Sequence, residues 1–178
     1  MSEVRIRQGT DADEAFFRDL EMQTTWENLP PEDCERLERE QVWLALEETH
    51  AILRARPGNA IFIAEVDGAR AGLLWFGPNR NLVTGEDEGW IYNVTVVPAY
   101  RRRGIGRMLM QHAENHAGEQ GYAVIGLMVA VHNSVARELY HRLDYQDSNI
   151  LMRKQLPALS EKAPAADPMP GFDPPRPR

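Results

Sequence analysis

The chain of 178 residues contains one cysteine, Cys34, so no disulfide can form within it. It also lacks excess positive charge: 20 Lys and Arg stand against 27 Asp and Glu, a net charge of −7, which argues against general nucleic-acid binding. Its apolar stretches are strand-sized, far below the roughly 20 residues of a membrane span, and its start shows no secretory pattern. We therefore expect neither nucleic acid nor membrane as partner, and a reducing cytoplasm as the location.

Composition divides the chain into two parts. Residues 1–156 carry regular hydrophobic patterning and are expected to form one domain. Residues 157–178 contain seven prolines and few aliphatic side chains, so they cannot bury enough apolar surface to offset the entropy lost on ordering. We expect a proline-rich, disordered tail after the domain.

Hydrophobic periodicity and turn signals predict alternating strands and helices in the first part. The predicted strands cover residues 4–7, 61–66, 71–76, 90–97, 124–129 and 149–154. The predicted helices cover residues 10–25, 33–54, 104–119 and 133–143. This order indicates an α/β (α+β) fold built on a mixed sheet.

A strand, a glycine-rich turn and a helix follow one another at residues 94–110. Gly104 and Gly106 let the backbone bend without a Cβ clash, and the helix start presents unpaired N–H groups and the positive end of its dipole. Guanidinium groups suited to pyrophosphate oxygens flank the turn, from Arg101, Arg102, Arg103 and Arg107. The pattern predicts a phosphate site, although an ordinary strand-to-helix turn with a solvated basic corner fits it as well.

Two common phosphate motifs are excluded, because no Lys-Ser or Lys-Thr pair follows Gly106 and the third glycine of a dinucleotide turn is missing. Residues 101–106 instead resemble motif A of the GCN5-related N-acetyltransferase (GNAT) family, which reads Gln or Arg, two residues, Gly, one residue, Gly or Ala. Residues 133–145 resemble a later family motif, with Asn133 at a helix start and Leu-Tyr near its end. Asp144 stands where the family usually has Gly.

The resemblance implies the GNAT fold, an α/β (α+β) mixed central sheet of about six to seven strands flanked by about four helices. It implies acetyl-CoA as the cofactor and direct transfer of its acetyl group to an amine within a ternary complex. The residues implied to bind the coenzyme are Val94, Thr95, Val96, Arg101, Arg102, Arg103, Gly104, Ile105, Gly106, Arg107 and Asn133.

Tyr140 is implied to be the general acid, because the departing thiolate needs a proton; a core aromatic on an apolar helical stripe fits the same spacing. A base must take the proton of the acceptor amine, and Glu88 is the candidate, with a solvated acidic turn as the alternative. No metal is expected, since His112 and His116 lack the spacing of a zinc-protease motif and read as surface residues.

The acceptor is expected to be a primary amine of a small molecule or a peptide. Aromatic and acidic residues of the two early helices suit a cationic amine, although core aromatics and solvated acids fit the same positions. These residues are Glu21, Trp26, Glu27 and Trp43. A non-catalytic acyl-CoA-binding module remains the alternative function, and a homodimer, common among similar proteins, stays open.

Overall fold

The computed structural model describes residues 3–81, 83–154 and 156. The chain divides into two compact units, Met1–Tyr145 and Gln146–Arg178, and every helix and strand among the described residues lies in the first. The expected tail, residues 157–178, lies outside the described residues. The proposed division into a domain and a tail therefore stays a prediction.

Residues 3–81 and 83–145 of the first unit form five strands and five α-helices. The strands are β1 (Val4–Gln8), β2 (Ala60–Val66), β3 (Ala69–Arg80), β4 (Asp87–Val96) and β5 (Ile125–Leu127). The helices are α1 (Glu14–Asn28), α2 (Pro31–Arg36), α3 (Arg39–Arg54), α4 (Ile105–Glu119) and α5 (Ser134–His141). Short 3-10 turns precede α1 at Asp11–Asp13 and follow β4 at Pro98–Tyr100.

The strands form one mixed sheet in the order β1-β2-β3-β4-β5. Each neighbouring pair is antiparallel except β4 and β5, which run parallel. The predicted α/β (α+β) fold is confirmed, with fewer strands than the six or seven expected. Residues 149–154 form no strand, and Ile150, Leu151 and Met152 are exposed. An apolar run becomes a strand only when a neighbour pairs with it, which local patterning does not reveal.

The second predicted helix, 33–54, is divided into α2 and α3. Leu37 has an extended backbone, with φ −105° and ψ 138°, and this ends α2. α3 then starts afresh, because the Gln41 Oε1 atom accepts a hydrogen bond of 3.1 Å from the backbone N–H of Glu38. A side chain that satisfies the unpaired N–H of a helix start favours a new helix over a continuous one.

Both faces of the sheet are covered by helices. Alternate residues of β3 point to opposite faces: Leu74 and Phe76 pack in a cluster with α4, whereas Leu73 and Trp75 pack with Phe17 of α1. The two clusters leave β3 buried on both sides. This arrangement fixes β4, the next strand, between the two helical layers.

A buried ion cluster ties the start of α1 to the sheet. The Asp13 carboxylate is 3% exposed and accepts hydrogen bonds from Arg7 at 2.7 and 3.0 Å and from Arg70 at 2.6 Å. The backbone N–H of Thr10 donates to the same group at 2.9 Å. The hydrogen bonds from Arg7 hold the pKa of Asp13 well below its usual range.

We expect Asp13→Asn to lower the free energy of unfolding at pH 7 by about 2–4 kcal/mol, because it leaves two guanidinium groups without their shared anion. A depressed folded-state pKa stabilises the protein fully above about pH 4, the unfolded-state value, and less as the pH falls further. Urea unfolding should thus show a smaller difference in the free energy of unfolding between wild type and variant at pH 3 than at pH 7.

Asp87→Asn is the matched control, since Asp87 forms an exposed pair with Arg80 at 3.8 Å. It should change stability by less than about 0.5 kcal/mol at either pH. Equal effects of the two substitutions at pH 7 would contradict the assigned role of Asp13.

Candidate active site

The turn before α4 is open and lined by backbone N–H groups. Arg102 and Gly104 have left-handed backbones, with φ 65° and 82°. Gly104 caps α4, and its carbonyl accepts the first helical bond, 3.1 Å from the N–H of Met108. Within the described part of the chain, the backbone N–H groups of residues 102–107 have no hydrogen-bond acceptor. Such a set of unpaired donors at a helix start attracts anions.

The two glycines of the turn are required for different reasons. A Cβ atom on Gly104 would meet nothing within 4 Å, so its constraint is the positive φ. A Cβ atom on Gly106 would lie 3.3 Å from Cδ2 of Leu139, so Gly106 lets α5 approach α4 closely. Ile105, between them, is 1% exposed and anchors the helix start in the core.

The four arginines of the turn have two kinds of surroundings. Arg102, Arg103 and Arg107 are exposed, and the Arg103 guanidinium lies 5.3 Å from the ring centroid of Tyr100. Arg101 bridges the end of β4 to α1: its Nε donates to the Val96 carbonyl at 3.1 Å and its Nη2 to Glu27 at 3.1 Å. Positive charge therefore surrounds the open turn on its solvent side.

β4 parts from β5 halfway along its length. Their parallel pairing covers Gly89, Trp90 and Ile91, and no strand of the described residues continues it along residues 92–96. A β-bulge lies at this point, since Trp75 pairs with Asn93 and Phe76 with Ile91, which leaves Tyr92 without a partner. The second half of β4 thus offers a free edge of backbone N–H and C=O groups to a ligand.

The residues of this free edge have their side chains in the interior. Val94 and Val96 pack in the α4 cluster. Thr95 is 8% exposed, and its hydroxyl lies 2.6 Å from that of Thr24 in α1. A ligand along the edge would therefore contact main chain.

α5 has Asn133 at its N-terminal cap and Tyr140 near its C-terminal end. The Asn133 Oδ1 atom accepts from the N–H of Ala136 at 3.1 Å and caps α5, while its Nδ2 donates to Oδ1 of Asn28 at 2.8 Å. Tyr140 is half-buried against the α4 cluster, its ring centroid 6.0 Å from that of Tyr145. Burial raises the pKa of Tyr140 to about 12, so the phenol keeps its proton at neutral pH.

The helix that carries Tyr140 ends as the sequence indicates. Asp144 has φ 64°, the left-handed terminus expected where the GNAT motif usually has Gly. Leu139, Tyr140 and Leu143 all pack against the α4 cluster. Tyr140 therefore contributes to packing and keeps its hydroxyl protonated at neutral pH.

Glu88 lies away from this region. It sits near the start of β4, opposite Asn79, and its Oε1 accepts a hydrogen bond of 2.6 Å from Nδ2 of Asn81. Six residues separate it from Val94, about 20 Å along an extended strand. The structure thus places the predicted base at the β3–β4 turn and does not bring it to the open half of β4.

A buried polar network that sequence reasoning missed lies under that open half. Glu21 is 4% exposed: its Oε1 accepts from Nδ2 of Asn93 at 2.5 Å, and its Oε2 lies 3.3 Å from Nε2 of His50. The Asn93 Oδ1 accepts from the Thr95 hydroxyl at 2.6 Å, and Thr24 extends the chain. The network links α1, α3 and β4.

The alternative interpretation of Glu21 as a solvated acid is therefore wrong. Phe17, Leu20, Glu21 and Thr24 share one face of α1, and this helical spacing was the available signal that Glu21 is buried. His50 offered no such signal, because its contact with Glu21 depends on how two helices pack.

The other acidic and aromatic candidates are only partly suited to hold an amine. Arg18 covers the Trp43 ring at 4.7 Å, and Arg39 covers Trp26 at 5.0 Å. Glu27 is exposed and bonded to Arg101. Each of these tryptophan rings thus already makes a cation–π contact with an arginine of the same chain.

His112 and His116 are half-buried, which corrects their interpretation as surface residues. Their rings pack on Phe62, with centroid distances of 4.4 and 5.1 Å, because the apolar face of α4 reaches that far round the helix. Across residues 3–81, 83–154 and 156, no three His, Cys, Asp or Glu side chains are grouped so as to hold a metal ion. The helices in these ranges are too short or too polar to cross a membrane.

The sequence model of the Acetyltransferase (GNAT) family matches residues 20–145. The uncharacterised N-acetyltransferase YdgE of Bacillus subtilis is 33% identical over 94 residues, 53% of this chain and 59% of its own. The [ribosomal protein bS18]-alanine N-acetyltransferase of Escherichia coli K12 is 34% identical over 64 residues, 36% of this chain and 43% of its own. The chain spans about half the length of these curated relatives.

A solved structure supports the fold. The aminoglycoside N-acetyltransferase AAC(6')-Iy in complex with CoA superposes with a TM-score of 0.64 at 19% identity, covering 88% of this chain and 97% of its own. Because the matched residues 20–145 run from α1 through the open turn to the end of the α5 motif, this chain belongs to the GNAT acetyltransferase family.

Proposed function

We propose that the chain is an N-acetyltransferase that moves an acetyl group from acetyl-CoA to a primary amine of a small molecule or a peptide. The observation that carries the proposal is the free edge of β4, which leads directly into the open turn before α4. An extended ligand with amides at one end and phosphates at the other matches this surface.

The residues present fit coenzyme A. The backbone N–H groups of residues 102–107, with the exposed arginines around them, would hold its diphosphate. The free backbone of Val94, Thr95 and Val96 would pair with the pantetheine amides. Asn133 would exchange its bond to Asn28 for one to the ligand. When bound, acetyl-CoA supplies a thioester-activated acetyl group.

Tyr140 would serve as the general acid. Its pKa near 12 keeps the hydroxyl protonated, so it is available as a donor to the leaving sulfur. A protein that only bound the coenzyme would have no need of a donor there. The hydroxyl therefore favours a catalytic role.

The acceptor class is inferred from chemistry and relatives together. The bS18-alanine enzyme is named for a peptide amine, and AAC(6')-Iy for an aminoglycoside amine. Both are acceptors with a primary amine, and the buried Glu21 beside β4 suits a cation of that type. A free-thiol release assay with acetyl-CoA against amines and N-terminal peptides tests the proposal, and no release with any acceptor would contradict it.

Tyr140→Phe should lower turnover by roughly ten- to a thousandfold and leave coenzyme affinity nearly unchanged, because it removes only the donated proton. Thiol release measures turnover, and calorimetry with CoA measures affinity. Tyr122→Phe is the control, since Tyr122 lies outside α5 and packs its ring on Phe76, and this substitution should leave both quantities unchanged. An equal loss of turnover and affinity in the Tyr140 variant would count against the general-acid role.

Gly104→Val should weaken CoA binding by more than about tenfold, because a β-branched residue resists the φ of 82° that aims the turn's N–H groups outward. Calorimetry checks the affinity, and circular dichroism checks the fold. Gly118→Ala in α4 is the control, since a Cβ there meets nothing within 4 Å and the helical backbone accepts it. A folded Gly104 variant that binds CoA like wild type would remove the phosphate site from this turn.

A further inference from the structure

We infer that Glu21 and His50 form the proton acceptor for the incoming amine and release its proton into a cleft between α1 and α3. The inference rests on the proposed function and replaces Glu88 in the role of base. Four features support this role: the carboxylate of Glu21 is buried, Asn93 links it to β4, His50 contacts it, and His50 lines a cleft between α1 and α3.

The carboxylate of Glu21 stands where packing alone would favour an apolar side chain. It shares its helix face with Phe17 and Leu20, which are 2% and 4% exposed. Burying a carboxylate costs several kcal/mol unless partners compensate it. Its side-chain contacts are with a neutral amide, Asn93, and an imidazole, His50. With these partners the carboxylate can both accept a proton and pass it on.

The network reaches the open half of β4. The bulge at Tyr92 places Tyr92 and the following residue on the α1 side, and Asn93 donates from there to Glu21 at 2.5 Å. Thr95, on the same side, donates to Asn93 at 2.6 Å. The carboxylate is thus one hydrogen bond from the strand edge along which the coenzyme is proposed to lie.

His50 connects the network to solvent. Its Nε2 faces Glu21, and its ring packs among Phe17, Trp75 and Trp43, with centroids 5.6, 4.9 and 6.5 Å away. The same ring lines a cleft of about 310 Å³ between α1 and α3. A proton passed to His50 therefore has a route out on the side of α1 away from Asn93.

The fixed charges around the cleft are paired. Arg18 bonds Glu47 at 2.8 Å, and Arg54 bonds Glu14 at 2.9 Å. Neither pair contacts Glu21. The charged groups that face His50 are thus Glu21 on one side and these four on the cleft side.

The proton step balances without any further reactant. An N–H bond of the ammonium group breaks, its electron pair stays on nitrogen, and the proton forms an O–H bond on Glu21. Glu21 then returns to carboxylate as His50 takes the proton and releases it to water in the cleft. The freed nitrogen pair is what attacks the acetyl carbonyl.

Two acceptors separate a proton-accepting role from a structural one. A primary alkylamine is almost fully protonated at pH 7.5, whereas a hydrazide is uncharged. Glu21→Gln keeps the size and the bond to Asn93 but accepts no proton. It should lower kcat with the alkylamine by roughly ten- to a thousandfold and with the hydrazide by less than about threefold.

The pH profile gives a second readout. The loss in Glu21→Gln with the alkylamine should shrink by up to about tenfold per pH unit between pH 7.5 and 9.5, since solvent then supplies the uncharged amine. His50→Gln should show the same pattern with a smaller loss. Asp87→Asn, at an exposed ion pair outside the cleft, should behave as wild type.

The outcomes are distinguishable. Wild-type protein that binds CoA but releases no thiol with either acceptor contradicts the proposed function. Active wild type with an equal loss for both acceptors at all pH values in folded Glu21→Gln and His50→Gln overturns the proton-acceptor role. A loss confined to the charged acceptor supports it.

Discussion

The half of β4 that leaves its neighbour is the constraint on which the site depends. A strand inside a sheet has both edges paired, yet residues 93–96 are paired only to β3 among the strands of the described residues. Backbone polar groups without partners are costly when shielded from water, so this edge demands either solvent or a ligand. The bulge at Tyr92 marks the point where β4 ceases to pair with β5.

The same bulge couples the binding edge to the opposite helical layer. The bulge places Tyr92 and Asn93 on the same side of the strand. The side-chain amide of Asn93 therefore points toward α1, where it donates a hydrogen bond to the carboxylate of Glu21. The phosphate turn and the buried acid thus lie on opposite faces of one strand, with α4 on one side and α1 on the other. A single strand therefore connects the proposed coenzyme site to the proposed proton acceptor.

Local features of the site were predictable from the sequence. Gly104 caps α4, Asn133 caps α5 and Asp144 ends it in the left-handed region, because these depend on residues within one turn of chain. Contacts between distant segments were not: Asn93 and Glu21 are 72 residues apart, and nothing near Glu21 marks its partner. Glu88 was the predicted base, whereas its distance from the open half of β4 depends on the register of β4 with β3.

The predicted strands and helices also differ from the observed ones where contacts between distant segments decide the structure. Each of the five observed strands overlaps a predicted one, since alternating patterns report burial. The run at 149–154 has strand-like composition and no strand, because pairing is decided by the rest of the fold. The break between α2 and α3 was missed as well, since one glutamine that caps a neighbour looks like any other helical glutamine.

The free edge of β4 also bears on divergence. Recognition through main-chain groups depends little on side-chain identity, so Val94 and Val96 are constrained only by their packing in the core. Substitutions that keep their volume leave the docking surface intact. A protein with this arrangement tolerates many substitutions along the strand while it uses the same acetyl donor. Substitutions in the helices on the α1 side of the sheet can then change the acceptor.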